Sequence, residues 1–79
     1  MYDVYILQNI PTGRFYVGST HDPILWLTRH NAGWSRSTKA GRPWQLVHIE
    51  EYPDKSSAWK REYDINRRKS RVYIEDLIA

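Results

Sequence analysis

Two short runs that alternate between β-branched or aromatic residues and other types flank Pro11-Thr12-Gly13. They are Tyr2 to Gln8 and Arg14 to Thr20. Proline presets φ for a turn, glycine is free to take positive φ, and the flanking alternation is that of strands, so residues 2–20 are predicted to form a β-hairpin. A hairpin alone cannot bury a face, so the remainder of the chain must cover it. With 79 residues in all, there is room for one domain and one small core. The chain has no cysteine, which excludes disulfide staples, a thiolate zinc site and a cysteine nucleophile. Full dinucleotide folds and eight-stranded barrels do not fit in this length.

The cover is legible downstream. Asp22-Pro23 is a helix start, because Asp accepts from the first free amide groups and Pro suits the first helical position. The helix is predicted to run to about Asn31, with Gly33 as its stop. Residues 33–43 have no period and form a polar, basic loop. Trp44 to Tyr52 reads as a third strand, and a second helix is predicted from near Asp54 or Ser56 to about Arg68. Ser70 caps a final short helix whose apolar face is Val72, Tyr73, Leu77 and Ile78. The prediction is an α+β fold in ββαβαα order: a small three-stranded antiparallel sheet flanked by helices, as one domain over residues 1–79.

Charge is unevenly placed. No acid occurs between Asp22 and Glu50, while Arg29, Arg36, Lys39 and Arg42 fall in that span. A second basic block holds Lys60, Arg61, Arg67, Arg68, Lys69 and Arg71 against Glu62 and Asp64. Such blocks are where phosphates run in nucleic-acid-binding proteins, and equally where an ordinary solvated surface puts its cations. Four Trp and six Tyr stand against one Phe, so nearly every ring carries a polar handle. The N-terminus has no basic cluster before its apolar run, and no apolar stretch is long enough for a membrane helix. With the lack of cysteine, this predicts a cytoplasmic chain with no membrane partner.

The order of short motifs then resembles a known family. Asp3-Val4-Tyr5 and, past the turn, Tyr16-Val17-Gly18 look like the paired motif of the GIY-YIG nucleases. The resemblance continues through VYIL, GRFYVGST, Asp22-Pro23 with His30-Asn31 following, the loop GWSRSTKAGRPWQLV, AWKREYDI and the terminal YIEDLI. In order and spacing these match the small stand-alone members, related to the N-terminal nuclease domain of the DNA-repair excinuclease.

The resemblance implies a DNA endonuclease that hydrolyses one phosphodiester bond with a single divalent ion, Mg²⁺ or Mn²⁺. It makes Tyr5 the base-side tyrosine, sets Tyr16 beside it, places His30 facing both, and gives the metal to Glu62. A tyrosine with a pKa near 10 is a poor base at neutral pH, so a cation must lower it. Each residue also has a plainer reading: a cross-strand aromatic pair for the tyrosines, a helix C-terminal cap for His30, an intrahelical pair with Asn66, Arg61 or Lys60 for Glu62. Glu62 has independent support, since Ala58, Glu62, Ile65 and Lys69 share one helical face and the apolar members mark it as inward. Gly18 reads as a point of close approach that lets substrate near the sheet. Asn31 beside Gly33 reads as helix termination.

One position departs from the family. Its arginine lies four residues before the histidine, and here that residue is Trp26. An indole can neither carry charge nor donate five hydrogen bonds to a phosphate. Arg29 is the nearest basic side chain, one turn away on the same helix. The competing readings are therefore an endonuclease weakened at position 26 and a non-catalytic DNA-binding module that keeps the nuclease fold. Arg29, Arg36, Lys39, Arg42 and Trp34 are the candidate DNA-binding residues, the first four for phosphates and Trp34 for stacking on a base. The DNA would be duplex, branched or damaged. With no added DNA-reading domain in these residues, recognition should follow DNA structure, with a partner protein supplying the address.

Overall fold

Val4, Tyr5, Ile6 and Leu7 are all buried, which is the signature of a strand covered on both faces. In the computed structural model, which describes residues 1–33 and 43–79, this run is the middle of strand β1, Tyr2–Asn9. Strand β2, Phe15–Thr20, pairs antiparallel on one side and β3, Trp44–Tyr52, antiparallel on the other, giving the order β2-β1-β3. The hairpin turn closes as its residues dictate. Gly13 sits at φ 75°, and Asn9 accepts from both the amide and the hydroxyl of Thr12. The predicted class, element order and sheet are all observed.

The helices also begin where the sequence places them. In α1, Pro23–Asn31, Asp22 accepts from the Leu25 amide, and the chain leaves the helix through Gly33 at φ 85°. In α2, Lys55–Arg68, Asp54 accepts from Ser57. In α3, Arg71–Ile78, Ser70 accepts from Tyr73. Each cap satisfies an amide that the first helical turn leaves without a partner.

Two apolar clusters share the sheet between them. Val4, Ile6 and Val17 pack with Ala58 and Ile65 of α2, and with Tyr73, Ile74 and Leu77 of α3. Complete burial of Ile65 is worth about 1.5–3 kcal/mol and fixes α2 on this face. Tyr5, Leu7 and Trp44 pack on the opposite face with Trp26 and Leu27 of α1. Two sequence expectations need correction here. Val72 is largely exposed, and Ile74 takes its place in the core, because Tyr73, Ile74 and Leu77 lie on one helical stripe from which Val72 is rotated away. Lys69 does not continue the inward face of α2: it is the left-handed C-cap at φ 48°, and exposed.

Candidate active site

Tyr5 and Glu62 belong to opposite faces of the sheet, yet both line one cleft of about 660 Å³. The geometry that permits this is at Gly18, directly across β1–β2 from Tyr5. A Cβ at Gly18 would lie 2.5 Å from the Tyr5 hydroxyl and 2.7 Å from the ring carbon that bears it. The tyrosine therefore lies over the glycine, its hydroxyl carried across β2, the edge strand. The close approach predicted at Gly18 exists, but the Tyr5 ring fills it rather than substrate. Tyr16 pairs with Leu7, so the two tyrosines are diagonal neighbours rather than a directly opposed pair.

His30, 2% exposed, comes from the last turn of α1. Its Nε2 lies 3.2 Å from the Tyr5 hydroxyl, and its ring meets Tyr16 edge-on at 5.1 Å between centroids. Burial pushes the imidazole below its ordinary pKa and so favours the neutral ring, which hydrogen-bonds the Tyr5 hydroxyl through Nε2. Burial also pushes the Tyr5 hydroxyl well above the usual tyrosine range, with Tyr16 and Glu62 acting in the same direction. The protein by itself thus holds Tyr5 protonated.

Glu62 enters from α2. Its Oε1 accepts from the Ser19 hydroxyl at 2.6 Å, and among the described residues no cation comes within ion-pair distance of it. Arg61, one of its predicted partners, points elsewhere, to Glu50, Asp64 and Tyr73. No cluster of three or more acidic, histidine or cysteine side chains occurs among the described residues, so an all-protein metal cage is absent from them. A lone carboxylate in an open cleft, oriented by a neighbouring hydroxyl, does suit a hard divalent ion that keeps most of its own water.

Trp26 lines the same cleft, its ring centroid 5.9 Å from that of His30. Arg29 lies with its guanidinium 5.2 Å above the Trp26 ring, as one-turn spacing suggests. Trp34, Arg36, Lys39 and Arg42 fall outside the described residues. Three features escape a reading of the sequence. Ser19 reveals itself as the Glu62 partner only through the packing of α2 on β2. Asn31 does more than end a helix: its side chain accepts from the Trp44 amide and donates to the Trp44 carbonyl, tying α1 to the start of β3. Lys55 and Tyr63 line the cleft from α2 on either side of Trp59, a ring that the sequence allows as an exposed anchor or as core, and their i, i+4, i+8 spacing is the available signal.

This fold agrees with what comparison with known proteins finds. The family profile described as the GIY-YIG catalytic domain matches residues 1–74. The chain belongs to the GIY-YIG family. It is similar to the structure-specific endonuclease subunit SLX1 of Meyerozyma guilliermondii, 38% identical over 76 residues, a match covering 87% of this chain and 26% of that protein. A UPF0213 protein of Halobacterium salinarum is 35% identical over 68 residues, 85% of this chain and 87% of that one. The solution structure of a UPF0213 protein from Bacillus halodurans superposes with a TM-score of 0.58 at 31% identity, over 99% of this chain and 83% of the other. The chain spans about a quarter of the length of the SLX1 relatives. No helix among the described residues is long and apolar enough to cross a membrane.

Proposed function

We propose that this chain is a DNA endonuclease domain that hydrolyses a phosphodiester bond with one Mg²⁺ or Mn²⁺ ion held by Glu62. The observation that carries the reading is the meeting of Tyr5, His30 and Glu62 in one cleft, from a strand and from helices on opposite faces of the sheet. Ser19 orients the Glu62 carboxylate. His30 Nε2 shares a hydrogen bond with the Tyr5 hydroxyl, which fixes where that hydroxyl sits in the cleft. An ion held by Glu62 would supply positive charge to the cleft, which would oppose the influences that keep the Tyr5 hydroxyl protonated. Tyr16 packs His30 in place. The SLX1 relatives are named as subunits of structure-specific endonucleases. This supports branched or otherwise irregular DNA as substrate, and a partner protein that supplies the address.

Trp26 favours a second reading, a DNA-binding module without catalysis, because an indole lines the cleft where charge is wanted on the phosphate. A plasmid-nicking assay with Mg²⁺ or Mn²⁺ and an EDTA control decides between the two. The endonuclease reading expects metal-dependent nicking, lost in Tyr5→Phe and increased about 10²–10³-fold in Trp26→Arg. Absence of nicking in both the wild type and Trp26→Arg, with salt-sensitive DNA binding retained, selects the module.

A further inference from the structure

The α2 wall of the cleft continues outward as an aromatic shelf. Trp59 is 55% exposed and Tyr63 69% exposed. Both rings line the cleft and also an adjoining depression of about 600 Å³, which Lys55 and Lys60 flank. Neither ring belongs to either apolar cluster, so packing does not account for them. Lys55 places its ammonium over one face of the Trp59 ring, 4.6 Å from its centroid, so a stacking partner takes the other face or displaces the lysine toward a phosphate. Lys55, Trp59 and Tyr63 recur every four residues, so they form one stripe about 12 Å long at 1.5 Å per residue.

We infer that this shelf binds an unpaired nucleobase of the DNA strand, stacked on Trp59 and Tyr63, with Lys55 and Lys60 against its flanking phosphates. A nucleotide is the occupant whose chemistry matches every part of the surface: a flat ring for the exposed aromatic faces and an anion for the cations that bracket them. Bases inside an intact duplex are already stacked on one another and cannot reach the rings. The shelf therefore selects DNA with an unpaired nucleotide next to the bond held in the cleft. This deepens the endonuclease reading and rests on the cleft being a DNA site.

The test measures anisotropy of a labelled oligodeoxythymidylate and of a blunt duplex of the same length, at low salt and without divalent metal. The proteins compared are the wild type, Trp59→Ala, Trp59→Phe and Tyr63→Ala. Both rings are exposed, so the fold should survive, and circular dichroism checks it. Trp59→Ala should weaken single-strand binding about 5- to 150-fold, Tyr63→Ala should weaken it less, and Trp59→Phe should recover most of the loss. Duplex affinity should fall by much less than single-strand affinity. Equal loss on both DNAs, or no loss on either, overturns the shelf and leaves the endonuclease reading standing. Failure of the wild type to bind any DNA overturns the cleft as a DNA site, and the shelf with it.

Discussion

Two polar clusters sit on this small sheet, and they are built on opposite plans. On the β3 side, Glu50 takes hydrogen bonds from Arg61 at 2.8 Å, from Tyr52 at 2.7 Å and from His48 at 2.8 Å. Arg61 is in turn shared with Asp64 and the Tyr73 hydroxyl. Burial alone would push the Glu50 carboxyl up, but the hydrogen bonds from Arg61, Tyr52 and His48 outweigh it and hold its pKa at about 2. On the β2 side, Glu62 has among the described residues a single hydroxyl partner, in an open cleft, and the Tyr5 hydroxyl is hydrogen-bonded to the buried imidazole of His30. The first cluster closes its charges on one another and locks β3, α2 and α3 together. The second leaves a carboxylate with capacity to spare. A cluster that stabilises a fold satisfies itself, whereas one built to act on something else stays incomplete.

The sharpest way to break this contrast is to remove a carboxylate from each side. Glu62→Ala should reduce metal-dependent nicking by at least about 10²-fold while leaving the urea midpoint nearly unchanged, because no charged partner is stranded. Unaltered nicking would take Glu62 out of the chemistry and dissolve the distinction. Gly18→Ala should act next most strongly. Its methyl group would collide with the end of Tyr5, so nicking should fall about tenfold or more through displacement of that hydroxyl. A normal rate with a normal Tyr5–His30 contact, seen by NMR of the imidazole, would refute the geometry.

Glu50→Gln should do the reverse of Glu62→Ala: about 1–3 kcal/mol of stability lost at pH 7, with nicking per folded molecule retained. The pH dependence follows from the depressed carboxyl. Its contribution is fully present above about pH 4.5 and is lost as the pH falls toward about 2. Denaturation midpoints measured between those values should therefore drop steeply for the wild type and less for Glu50→Gln. Parallel curves would show that this cluster does not carry the acid sensitivity.

The fold is legible at its punctuation, to the residue at Asp22 and Ser70 and to one of two candidates, Asp54 or Ser56, at the second helix. Asp22, Asp54 and Ser70 cap their helices, and Gly13 and Gly33 take positive φ, because caps and turns are decided within three or four neighbouring residues. Val72 departs from its expected place because a two-turn helix offers several faces of similar apolarity, and only the sheet beneath selects one. Lys69 departs because it lies just past the last helical residue, Arg68, and takes the left-handed cap conformation, off the helical face. The candidate site is legible chiefly through family resemblance. Tyr5, Tyr16, His30 and Glu62 do share a cleft, but spacing along the chain does not separate that outcome from plainer pairings.

Residue types and their order along the chain suffice for the class, the element order, the caps and turns, and the departure at Trp26. Each of these is a local or additive property. Packing in three dimensions is what carries Tyr5 over Gly18, sets Ser19 against Glu62, commits Arg61 to Glu50 instead, and turns Trp59 and Tyr63 outward beside the cleft. Those outcomes depend on strand register and on which helix lies on which face. They bring together residues up to 43 positions apart, such as Ser19 and Glu62, whose meeting no local preference encodes.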